Sequence, residues 1–192
     1  EKYRSIVDSS NNVIIRADCK GVINYINHTV TGLSKEEVID KTLYDYIDSK
    51  YHNLVRETLE KVVNTGKPSS YELQGIGPRG TTAWYHSTIS PIIYDGKINA
   101  VTIVTEDITN QKKADEIIKE SEVKYRTLFE TSPEGLLTMN LKGFVTRANS
   151  AFFKLSGYSK KEIIGKHFTR LPVLRKRDLP RYIKLFASLL KK

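Results

Sequence analysis

The side chains best suited to metal or nucleophile chemistry in this 192-residue chain are four histidines, His28, His52, His86 and His167, and one cysteine, Cys19. The histidines are scattered and lack metal-ligand spacing, so no zinc site is expected. One cysteine excludes an internal disulfide and any cysteine-built metal site, and it fits a reducing compartment. No Ser-His-Asp order, paired carboxylate motif or glycine-rich phosphate loop is present, since "GIGPRG" at 75–80 lacks the helix that a phosphate loop requires. "NHT" at 27–29 matches a glycosylation sequon, which in a cytosolic protein is chance. The chemistry left is recognition, without bond making.

The elements that position these residues can be read in order. "VIIRADCKGVINYIN" is two short strands about a turn in which Gly21 supplies a positive φ. Ser34 and Glu37 form a capping box at the start of a short helix, and Asp40 stands where a left-handed residue is needed to end it. A longer helix follows over 50–64, with apolar residues at 51, 54, 55, 59, 62 and 63, and "TGKP" at 65–68 stops it. Three strands come next, at 69–75, 82–92 and 97–105, joined by "GPRG" and by a hairpin at Asp95-Gly96. Residues 108–130 read as helix, with Ala114, Ile117, Ile118, Tyr125 and Leu128 in a loose stripe too short for a clean coiled coil.

Much of this is written twice. Lys2-Tyr3-Arg4, Gly21 and Asn27 recur 122 positions later as Lys124-Tyr125-Arg126, Gly143 and Asn149. Gly32 and Lys41 recur 125 positions later as Gly157 and Lys166, so the first copy lacks three residues between Asn27 and Gly32. That loss is nearly one helical turn of about 3.6 residues. A period this long marks tandem domains, because solenoids repeat every ~20–50 residues. Ser159, Glu162 and Gly165 repeat the capping box and its stop. The second copy has no counterpart of the three later strands, so it is expected to be an incomplete unit in a segment of a longer protein.

The net charge of +9 is uneven. Residues 1–107 carry 12 basic and 14 acidic side chains, and residues 124–192 carry 16 and 4. "RKR" at 175–177 lies in this basic half, yet no groove-reading motif accompanies it and a solvated face is expected. No apolar run reaches the ~18 residues needed to span a bilayer.

With these elements in place, the chain resembles tandem PAS sensor domains, the second truncated. The resemblance rests on Asn27 and Asn149 closing the second strand, on "GLSKEEVIDK" and "GYSKKEIIGK", and on "TGKP", "WYHSTISPIIYDGK", "DITNQKKADE" and "SEVKYRTLFETSPEG" in that order. Leu33 for Tyr, Asp40 for Gly and the three-residue deletion depart from the family pattern. The resemblance implies an α+β fold, a five-stranded antiparallel sheet in the order 2-1-5-4-3 with helices on one face. It divides the chain into a PAS domain at 1–109, a connecting signalling helix at 110–123 and an incomplete PAS domain at 124–192. The three missing residues would fall on the wall of its pocket.

Carried over by position, the family's orientation turns Ile15, Ala17, Ile23, Tyr25, Leu73, Tyr85, Ser87, Ile103 and Thr105 toward the helices, with Val38 and Leu54 facing them as ligand-pocket candidates. These residues fill a core in the plainer reading, but the polar tips of Tyr85, Ser87 and Thr105 need partners there and a ligand would be one. Trp84 and His86 fall on the other face, where Trp84 is expected to be covered by a flanking helix from 1–8 or 110–130, in this chain or a dimer partner. Asp107 and Thr109 would form the signal junction by capping the connecting helix.

The expected function is a non-enzymatic sensory and dimerisation module of a cytoplasmic signalling protein. The expected partners are a second copy bound through the flanking helices and a downstream histidine kinase in the same chain. No cofactor, nucleic acid or membrane segment is expected. One alternative is a haem or flavin gas or redox sensor, for which His52 on the long helix would be the iron ligand. The other is a nucleic-acid-binding regulator using the basic half.

Overall fold

The computed structural model describes residues 7–29, 33–76 and 81–189. The chain divides into two compact units, 1–115 and 116–192. In the first, β1 (Val13–Ala17), β2 (Ile23–Ile26), β3 (Ser69–Ile76), β4 (Thr82–Tyr94) and β5 (Lys97–Asp107) form one antiparallel sheet in the order β2-β1-β5-β4-β3. This is the topology that the resemblance implies. The helices are α1 (Lys35–Val38) and α2 (His52–Thr65), with 3-10 turns at Leu43–Tyr46 and Ser49–Tyr51 between them.

Strand alternation gives the sheet an inner face built of cross-strand rows. Ile89, Ile103, Ile15 and Ile26 form one row, and Pro91, Val101, Ala17 and Ile23 the next. Val55, Leu59 and Val62 of α2, with Val38 and Leu43, close over these rows to make the core, and α2 packs on β3 and β4. Asp40 takes the expected left-handed conformation, φ 64°, and the Ser34–Glu37 capping box is formed, with the Glu37 carboxylate accepting from Ser34 N at 2.7 Å.

Two expected inward residues point elsewhere. A bulge leaves Asn24 unpaired, so Arg16 pairs with Tyr25 and Ala17 with Ile23. Directly paired residues share a face, so Tyr25 joins Arg16 on the outer face while Ile26, not Tyr25, continues the inner one. The Tyr25 hydroxyl lies 3.4 Å from Asp8. Leu54 is 40% exposed, because the buried stripe of α2 runs through Val55, Thr58, Leu59 and Val62. The "GPRG" turn, the sequence around Gly32 and most of the 1–8 segment lie outside the described residues.

The second unit opens within α3 (Thr109–Thr131) and continues with β6 (Leu137–Met139), β7 (Val145–Ala148), α4 (Ser150–Ser156), α5 (Lys160–Ile163) and α6 (Leu179–Leu189). The two strands pair with each other, and Val145, Phe152, Ile163, Phe168 and Leu171 form the core. The repeat holds at the level of single hydrogen bonds. Ile23 N donates to Lys41 O, Asp40 N to Ile23 O and Leu43 N to Gly21 O. Val145, Lys166, Gly165, Phe168 and Gly143 make the same three bonds. Gly143, with φ 81°, is required twice over: a Cβ there would meet His167 Nε2 at 2.7 Å and Phe168 Cδ1 at 2.9 Å.

Asn27 and Asn149 are the buried polar centres of the two units, 2% and 0% exposed. The Asn27 carbonyl accepts from Ile14 N and His28 N, both at 2.8 Å, and its amide donates to Val7 O and Asn12 O, both at 3.0 Å. Asn149 accepts from Leu136 N and Phe152 N at 2.9 Å and donates to Phe129 O and Glu134 O at 2.9 Å. The sequon at Asn27 is therefore buried and its amide nitrogen is engaged on both hydrogens. Asn27→Asp replaces two donors by an anion facing two carbonyls, a loss of about 2–4 kcal/mol. Chemical denaturation should show that loss for Asn27→Asp, whereas the exposed Asn24→Ala stays within about 0.5 kcal/mol of the parent.

Candidate functional site

Two of the three polar residues expected inside the first unit, Ser87 and Thr105, satisfy each other. Tyr71, Ser87, Thr105 and Val13 form an inner row across β3, β4, β5 and β1. Ser87 Oγ and Thr105 Oγ1 are 2.8 Å apart, and Ser87 also hydrogen-bonds the Tyr71 phenol. Among the described residues no buried side-chain nitrogen or oxygen lacks a partner. Burial, relieved in part by Ser87, pushes the Tyr71 phenol above its ordinary value. The centre of the sheet is thus a packed core: Ile15, Ala17, Ile23, Val38, Leu73 and Ile103 fill it with their apolar side chains.

Open space occurs at the end of the inner face instead. A cleft of about 300 Å³ is lined by Asn11, Val13, His28, Thr29, Tyr85, Thr105 and Asp107. It joins two pocket candidates, Tyr85 and Thr105, to a junction candidate, Asp107. Burial first and the Asp107 carboxylate second push the Tyr85 phenol up, so the hydroxyl stays protonated beside that carboxylate. His28 Nε2–H donates to Ser10 O at 3.1 Å, which fixes the ring against the wall. Asn11, Val13, His28 and Thr29 were not among the expected residues. Val13 continues the alternation that nominates Ile15, while His28 and Thr29 are marked in the sequence only by following Asn27, at the start of the shortened stretch.

Asp107 also works away from the cleft. Its Oδ1 accepts from Thr109 N at 2.8 Å, and Thr109 Oγ1 accepts from Trp84 N at 2.8 Å, while Ile108 N donates to Trp84 O at 2.9 Å. The Asp107 carboxylate therefore caps the first amide of α3, whereas the Thr109 hydroxyl accepts from β4 and ties the start of the helix to that strand. On the outer face Trp84 is covered on one side by α3, through the Lys112 ammonium 5.2 Å from its ring centre.

The other histidines are held by local partners. His52 Nε2 lies 2.9 Å from Ile47 O and its ring packs edge-on to Tyr44, so that nitrogen is taken up by a carbonyl. His167 Nδ1 bonds Thr169 Oγ1 at 2.8 Å. Cys19 Sγ lies 3.5 Å from Ile98 O. Arg175, Lys176 and Arg177 are all exposed, as a solvated face requires.

Residues 1–108 match the family model described as PAS fold, and residues 123–188 match the one described as PAS domain. The chain is 23% identical over 152 residues to Sporulation kinase A of Bacillus subtilis, an alignment covering 77% of this chain and 25% of that protein. It is 29% identical over 92 residues to Hybrid signal transduction histidine kinase L of Dictyostelium discoideum, covering 48% and 5%. The chain thus spans a quarter or less of these relatives. A crystal structure of a PAS domain from Colwellia psychrerythraea superposes with a TM-score of 0.51 at 18% identity, covering 57% of this chain and 96% of that one, a likeness of fold. No helix among the described residues is long and apolar enough to cross a membrane.

The Tyr71 phenol gives a pH test. A phenol whose pKa is raised on folding stabilises the fold below its unfolded value of about 10, and that contribution is lost as pH rises through the folded value. Melting temperatures taken from pH 8 to pH 11 should fall more steeply for the parent than for Tyr71→Phe, which lacks the titrating group.

Proposed function

We propose, from the premise that this chain belongs to the PAS family, that its first unit is a sensory input module for a small polar ligand held in the Tyr85–Asp107 cleft. The observation that carries this reading is that one residue, Asp107, both borders the cleft and caps the helix leaving the sheet. The cleft lies at the lower end of the roughly 300–1,000 Å³ range of ligand pockets. Its hydroxyl, imidazole, amide and carboxylate groups suit a small molecule carrying hydroxyl or amine groups better than a haem or flavin. A ligand that prefers one arrangement of Asp107 shifts the population of the cap by its difference in affinity for the two states.

In this reading the segment senses and pairs, and the chemistry belongs to an output domain elsewhere in the protein, such as a histidine kinase, in keeping with the kinases it resembles. The helix α3 is the route to that output. Ile117, Ile118 and Leu128 are all more than half exposed on it and supply an apolar stripe for pairing with a second copy. The match over residues 123–188 supports reading the second unit as a second PAS domain.

Native mass spectrometry of the purified chain should show a co-purified molecule at one per first unit. Tyr85→Phe, which removes one hydroxyl from the wall, should weaken its binding about tenfold. A chain that carries no small molecule, and whose melting temperature is unmoved by a panel of small hydroxylated and amine metabolites, would rule the ligand reading out. Pairing is tested separately: Ile118→Glu should lower the dimer fraction in analytical ultracentrifugation.

A further inference from the structure

Glu72 on the edge strand β3 stands on the outer face, two strand positions from Gln74, the cross-strand neighbour of Trp84. One of its carboxylate oxygens meets Lys112 Nζ at 2.6 Å and the other lies 3.5 Å from His86 Nδ1. Lys112 is in the first turn of α3, and the same ammonium lies over the Trp84 ring. The Lys112 contact, followed by His86, holds the Glu72 carboxyl below its ordinary value. Three elements therefore converge on one ammonium, β3 through Glu72, β4 through Trp84 and the exit helix through Lys112 itself, with His86 of β4 on the other oxygen of Glu72.

The hydrogen bonds that anchor this helix to the sheet are confined to its start. The cap at Asp107 and the bonds from Ile108 and Thr109 to Trp84 fix where the helix begins, but all lie at its first residues. Lys112 is the next point along the helix at which a side chain binds the sheet, and it lies on the face opposite the cleft. We propose that Glu72, Lys112 and Trp84 form a latch that holds the first turn of α3 against the outer face of the sheet, and that opening this latch is the step by which the helix is released. The proposal rests on the reading above only in taking α3 as the output.

Its chemistry suits a release point. The ion pair is partly exposed, with both side chains near 40% accessible, so it contributes modestly and can open without unfolding the sheet. The Trp84 face adds a second weak attraction to the same ammonium. Two weak contacts acting on one group give a switch that opens as a unit. His86 keeps Glu72 a partner when Lys112 leaves, so the open state does not strand the carboxylate.

Trp84 is the only tryptophan in the chain and reports the latch directly. Glu72→Gln and Lys112→Met each keep most of the side-chain shape and remove one charge. In the ligand-free chain each should raise amide hydrogen exchange over residues 110–116 about three- to tenfold and increase acrylamide quenching of Trp84. Exchange in β4 and β5 should stay unchanged. The swapped pair Glu72→Lys with Lys112→Glu rebuilds the ion pair but not the contact with the Trp84 ring, so it should restore protection part of the way toward the parent level. Unchanged exchange at 110–116 in both single variants overturns the latch, as does a swapped pair that remains as open as the singles. If the singles also loosen the sheet, the swapped pair decides by the same criterion. No ligand enters these measurements, so a chain that binds nothing in the cleft yet shows these changes loses the ligand reading and keeps the latch. Unchanged exchange with ligand binding intact removes the latch alone.

Discussion

A single buried asparagine side chain holds each unit together at the place where most segments meet. Asn27 ties the end of the segment at Val7, the loop at Asn12, the strand at Ile14 and its own following residue. Four backbone groups are thereby fixed around one side chain, and an unpaired buried amide costs about 1–3 kcal/mol. No other residue type supplies two acceptor and two donor directions from so short a side chain except by lengthening it, as Gln would. Asn149 repeats the arrangement and places its donors on Phe129, near the end of α3, and on Glu134. The long helix is thereby fastened near one end by Asn149 and at the other by Asp107 and Trp84.

Against that fixed point, the sequence pattern announced most of the architecture. Capping boxes, hairpin residues and the stop at Gly66 are local signals, and the elements that they bound appear where expected to within about two residues. The sheet order came from the resemblance, since no local pattern states which strands are neighbours. The site was less readable. Strict alternation sends Tyr25 inward, but the bulge at Asn24 reverses β2 at its midpoint, and a bulge depends on the partner strand. Leu54 fits the helical stripe as well as Val55 does, and only the packing angle of α2 chooses between them.

The polar interior teaches a related lesson. Tyr85, Ser87 and Thr105 were expected to want a ligand, but Ser87 and Thr105 bond each other and Tyr71 completes the row. Tyr71 lies two positions from Leu73, so alternation placed it on the inner face. What alternation does not convey is that three hydroxyls on adjacent strands fall at one register. Register is a long-range property, and it turns a prospective pocket floor into a closed hydrogen-bonded row. The available space moves to the rim, where Asp107 belongs to the cleft and to the helix at once.

The side-chain carbonyls of the two asparagines differ in one bond. The Asn149 carbonyl caps α4 through Phe152 N, whereas the Asn27 carbonyl turns to the amide of His28 beside it. The anchor in the first unit therefore reaches forward only to His28, where its counterpart reaches three residues on to Phe152. The fold separates what must be kept from what can be rewritten, and the boundary between the two runs along the rim of the cleft. The side chains of His28 and Thr29, which line the cleft, can therefore change without loss of any bond made by the Asn27 side chain, since all of those bonds are to backbone groups.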